Sequence, residues 1–82
     1  MLDLKYSLVI EATEDPHFFT FYSPDLEGFT GTGQSIEDCL DKARIGMEEY
    51  LALMKERNLS VPSHNLNPTV TIKNNRPVQQ GA

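Results

Sequence analysis

The stretch SIEDCLDKARIGMEEYLALMKER, Ser35 to Arg57, decides the fold. Ile36, Leu40, Ala43, Met47, Tyr50, Leu51 and Met54 recur at spacings of three and four, which places them on one face of a helix. Ser35 stands where an N-cap belongs, and Asp38 holds the capping-box position three residues on, with a shorter reach than Glu. Glu37 and Asp38 in the first turn and Lys55 and Arg57 in the last complement the helix dipole. Asn58 suits a left-handed stop, and Pro62 bars continuation. The spacing predicts a helix over residues 36–57.

Upstream, the pattern changes to period two. Leu4, Tyr6, Leu8, Ile10 and Ala12 alternate with Lys5, Ser7, Val9 and Glu11, which predicts a strand over residues 4–12. Glu14-Asp15-Pro16 is a turn signal, because proline fixes φ and removes a ladder donor. The aromatic and β-branched run of residues 18–23 predicts a second strand, antiparallel to the first because the connection is short. Ser23-Pro24-Asp25-Leu26-Glu27-Gly28 reads as a loop, with Pro24 pre-setting one turn residue and Gly28 suited to positive φ. Phe29 to Gly33 gives a short third strand weakened by two glycines. Downstream, Ser60 to Pro68 is a linker, Thr69 to Lys73 a fourth strand with Val70 and Ile72 on one face, and residues 74–82 a polar tail.

One helix needs something to cover its apolar face. A sheet supplies it, so the expected class is α+β: a two-layer β-β-β-α-β domain over residues 1–73. Three strands form an antiparallel meander, and the fourth returns to the same sheet. The 82 residues allow one domain, and so small a core makes oligomerisation a natural supplement.

The net charge is −5, and residues 1–30 hold six carboxylates against Lys5 alone. An acidic body repels phosphate backbones, so direct nucleic-acid binding is not expected. It suits a basic protein partner, although mild acidity also serves solubility. The single Cys39 permits no intrachain disulfide and fits a reducing cytosol. No apolar run approaches a membrane span, so the expected location is cytoplasmic.

Catalytic chemistry is hard to assemble from these residues. Cys39 lies inside the helix and reads as a small buried residue rather than a nucleophile. His17 and His64 lie in loops, and Cys and His together are too few for a structural zinc site. A two-metal nuclease needs convergent carboxylates, yet the acids fall in turns (Glu14, Asp15, Asp25, Glu27) or on the helix's polar side (Asp41, Glu48, Glu49). Glu11 is the one strand-interior candidate. Phe18, Phe19, Phe21 and Tyr22 have no basic neighbours to make a base-stacking platform, and core packing explains them better. No cofactor and no enzymatic activity are expected.

From Tyr6 to Pro62 the chain resembles the HicB family of antitoxins. The resemblance is carried by Tyr6-Ser7-Leu8-Val9-Ile10-Glu11, the aromatic strand, Ser23-Pro24-Asp25-Leu26-Glu27-Gly28, Gly33-Gln34-Ser35-Ile36-Glu37-Asp38-Cys39-Leu40, and Glu49-Tyr50-Leu51. It implies a partial ribonuclease H-like fold without nuclease chemistry, self-association, and neutralisation of a small basic HicA toxin that cleaves messenger RNA. Pro24, Leu26, Gly28 and Ser35 then belong to the structural motif. Glu14, Asp15, Asp25 and Glu27 are the candidate charge partners of the toxin; for Asp25 a side-chain-to-backbone turn bond competes. Many relatives continue into a DNA-binding module. Here residues 74–82 are too short for one, so DNA binding by this chain is not expected.

Overall fold

Ser35 caps the helix as its sequence predicts. In the computed structural model, which describes residues 4–74, α1 runs Ile36–Glu56. The Ser35 hydroxyl accepts the Asp38 N–H at 3.0 Å. The Asp38 carboxylate reaches past the cap and accepts the Gln34 N–H at 2.9 Å, so the reciprocal bond lands one residue upstream of the usual box. That bond, with Lys42 beside it, holds the Asp38 carboxyl below its ordinary range. At the other end Asn58 takes φ 58, Leu59 N–H donates to Met54 O and Asn58 N–H to Lys55 O, a Schellman stop.

Four strands form one sheet: β1 Leu8–Ala12, β2 Phe19–Tyr22, β3 Thr30–Gly33 and β4 Val70–Asn74. Their order is β3-β2-β1-β4. The first three make the antiparallel meander, and β4 lies parallel to β1. The protein is therefore α+β, with one helix packed on a mixed sheet.

The first strand begins later than its alternation predicts. β1 finds ladder partners only from Leu8, opposite Val70, and Val9, opposite Tyr22. Leu4 and Tyr6 stay buried and Lys5 exposed without the ladder, and backbone groups of this segment go to loops instead. Ser7 N–H donates to Asp25 Oδ2 at 2.8 Å, and Lys5 O accepts from Asn65 N–H at 2.9 Å. The fourth strand extends through Asn74, the first residue of the expected tail; residues 75–82 lie outside the described residues.

The core lies between α1 and the sheet. Tyr6, Leu8 and Ile10 meet Phe21, Leu26 and Phe29, and Cys39, Ala43, Met47 and Leu51 close the cluster from above. The Phe29 ring meets Phe21 at a tilt and Tyr50 edge-on. The helix comes closest at β3, where a Cβ on Gly33 would sit 2.7 Å from Cys39 Sγ. α1 touches β3, β2 and β1 and makes no contact with β4. A sheet of four strands is roughly 19 Å wide and a helix about 10 Å, so one helix cannot cover the whole face. Ile72, in register with the fully buried Ile10, is 52% exposed for that reason.

Candidate functional site

The Ser23–Gly28 loop joins β2 to β3, and each residue of its motif has a physical task. Leu26 is buried beneath the loop. Gly28 takes φ 79, which an L side chain rarely adopts. Ser23 Oγ accepts the Asp25 N–H at 3.2 Å, and the loop is tied to the helix where Tyr50 OH donates to Glu27 O at 2.8 Å.

Asp25 is the hub of a long-range network rather than a local turn. Its Oδ2 accepts from Ser7 N–H and, at 3.0 Å, from Asn65 Nδ2. Asn65 Nδ2 also donates to Ser7 Oγ at 3.1 Å, and Thr69 N–H donates to the same oxygen at 3.0 Å. The Asn65 bond, followed by that of Ser7, pulls the Asp25 carboxyl below its ordinary value. Close by, Tyr6 OH donates to Pro62 O at 2.6 Å and its ring meets His64 edge-on. Burial, with Asp25 nearby, pushes the Tyr6 hydroxyl up. Together these bonds strap the α1–β4 connection onto residues 5–8. Sequence reasoning left Ser7, Asn65 and Thr69 without a role.

The other acids lie elsewhere. Glu14 and Asp15 occupy the β1–β2 turn, at the opposite end of β2 from Asp25 and Glu27. Asp15 Oδ1 accepts the His17 N–H at 2.9 Å. The four candidate carboxylates thus form two separate exposed pairs, one at each end of the sheet, and Asp25 is already engaged within the chain. Their capacity is to meet positive charge, and Glu14 and Glu27 make no ion pair among the described residues.

Cys39 is fully buried, and burial raises its thiol. Glu11 lies on the sheet face away from the helix, in register between Thr20 and Lys73. Among the described residues no three His, Cys, Asp or Glu side chains converge as a metal site would need. Phe21 is buried and Phe19 half-buried, as core packing requires, whereas Phe18 is 43% exposed. No described helix is long and apolar enough to cross a membrane. No family model, no curated protein and no solved structure matches the chain.

Proposed function

We propose that this chain is a HicB-like antitoxin module that binds a small basic HicA-type mRNA-cleaving toxin and neutralises it by covering the active site. The observation that carries the reading is the Ser23–Gly28 loop. Leu26 is a core anchor, Gly28 a left-handed hinge and Asp25 the acceptor that joins three segments. Asp25, Leu26 and Gly28 of the loop motif therefore each have a physical role in this fold. The element order β-β-β-α-β agrees with the partial ribonuclease H-like arrangement that the resemblance implies.

The mechanism is occlusion by a surface, with no group transfer. Exposed Glu14 and Glu27 supply negative charge that draws a basic partner and disfavours like-charged competitors. Asp25 acts in this reading as a positioning residue, holding the loop that presents Glu27.

The test is co-expression with the protein encoded by the neighbouring reading frame, scored by growth and co-purification. Rescue of growth together with a co-purifying complex is expected; a neighbour that stays toxic and elutes alone removes that partner. A second reading, a homo-oligomeric regulatory domain without a toxin, is favoured by the exposed Ile72 on β4, a strand that α1 does not reach.

A further inference from the structure

α1 buries Cys39, Ala43, Met47 and Leu51 against the sheet. Successive helix residues turn by about 100°, so Ile45 points diametrically away from the mean direction of those four. It is 53% exposed. A β-branched residue gains nothing there, because its χ1 is restricted in a helix and the outer face is ordinarily polar. Single exposed apolar side chains are normal on any surface. Here the stripe continues: Glu49 follows one turn on, exposed Ala52 and the 45% exposed Leu53 about two turns on, and Glu56 ends it.

The stripe borders the Ser23–Gly28 loop. Tyr50 OH donates to Glu27 O at 2.8 Å and holds that loop against α1. Leu53 is the i+3 neighbour of Tyr50, so the surface runs from Glu27 past Leu53 to Ile45. Its acids are uncompensated. Asp38 pairs with Lys42 at 3.3 Å and Asp41 with Arg44 at 3.7 Å, whereas Glu27, Glu49 and Glu56 make no ion pair among the described residues. Arg44 and Lys55 fall on the other flank of α1, where they line a shallow groove with Lys5 and Glu48.

We infer that the basic protein partner docks on this stripe by laying a basic amphipathic helix along α1. Ile45, Ala52 and Leu53 enter its apolar seam, and Glu27, Glu49 and Glu56 meet its Lys and Arg side chains. The inference rests on the antitoxin reading and assigns its contact surface. Two features suit a helix as the occupant. From Ile45 to Glu56 the stripe is a straight run of about 17 Å. Ala52 is small, which lets two helix axes approach to about 8–10 Å. Apolar residues at the centre with charges around them follow the anatomy of protein interfaces. The charges choose the sign of the partner and exclude acidic competitors.

Calorimetric titration of the full chain and its variants into the protein encoded by the neighbouring reading frame tests this. Ile45→Lys should weaken binding about tenfold or more, and Ile45→Ala, which changes no charge, about fivefold. Ile72→Lys makes the same change at another exposed isoleucine, on a strand that α1 does not reach, and should alter binding by less than about twofold. Glu49→Gln with Glu56→Gln should weaken binding and flatten its salt dependence. Ala, Lys and Gln are all at least as helix-favouring as the residues they replace or nearly so, and circular dichroism confirms that each variant counted is folded. A wild type that binds while Ile45→Lys binds equally well would overturn the stripe and leave the antitoxin reading standing. Equal losses in Ile45→Lys and Ile72→Lys would do the same, since charge alone would then explain them. A wild type that forms no complex would overturn both.

Discussion

Asp25 holds the β2–β3 loop, the segment before β1 and the α1–β4 connection with one carboxylate. Replacing it with Asn keeps the shape and removes the charge. The expected loss is about 1 kcal/mol in urea unfolding, at the lower end for charged hydrogen bonds because the residue is exposed. The pH dependence has a definite sign. The folded carboxyl lies below its ordinary 3.8, so its contribution is present above that value and is lost as pH falls through the lower folded value. Stability of the wild type and of Asp25→Asn, compared from pH 7 downward, should therefore converge in strong acid. A gap that stays constant to the lowest pH would remove the charge from the explanation. Asp25 also marks a limit of sequence reading. A Pro-Asp pair in a turn signals a local bond, but Asn65 lies 40 residues away and Ser7 18 residues away. Nothing in their spacing announces the network, and Ser7 falls on the polar side of the alternation although it is buried.

At the scale of elements, α1 was legible almost to the residue, because cap, dipole, apolar spacing and stop all agree. The meander was legible from turn chemistry and short connections. The start of β1 was not, since a ladder begins where its neighbours begin, and that is set by β2 and β4 rather than by residues 4–7. The glycines of β3 read only as a weakness in the ladder. In the structure the Phe21 ring lies over Gly31, and Cys39 Sγ with its backbone N closes on Gly33. Gly33→Ala should accordingly cost about 1–3 kcal/mol by overpacking. Gly28→Ala meets no atom within 4 Å and should cost only about 1 kcal/mol, from its positive φ. In the double variant Gly33→Ala with Cys39→Ala part of the first loss should return, since the sulfur is gone. Additive losses in urea unfolding would show that the helix–strand contact is not the cause.

Among the described residues, α1 covers part of the sheet. One helix is too narrow for four strands, and the remaining apolar surface falls at β4. Charge is distributed differently: the four candidate acids lie in turns at the two ends of the sheet, and further exposed acids lie along α1. The candidate acids were legible as residue types in turns, and their division between opposite ends follows from the antiparallel meander that the sequence already predicts.

The central claim is that this chain captures and silences a basic RNA-cleaving toxin. Titration of the chain into the protein encoded by the neighbouring reading frame, read by calorimetry and co-elution with RNA cleavage followed in the same samples, tests it most directly. The account predicts a saturable complex that abolishes cleavage. Its affinity should fall as salt rises and drop about tenfold or more with Glu14→Lys and Glu27→Lys combined, as complementary charge requires. Absence of both heat and co-elution, or a complex in which RNA is still cut, would contradict it.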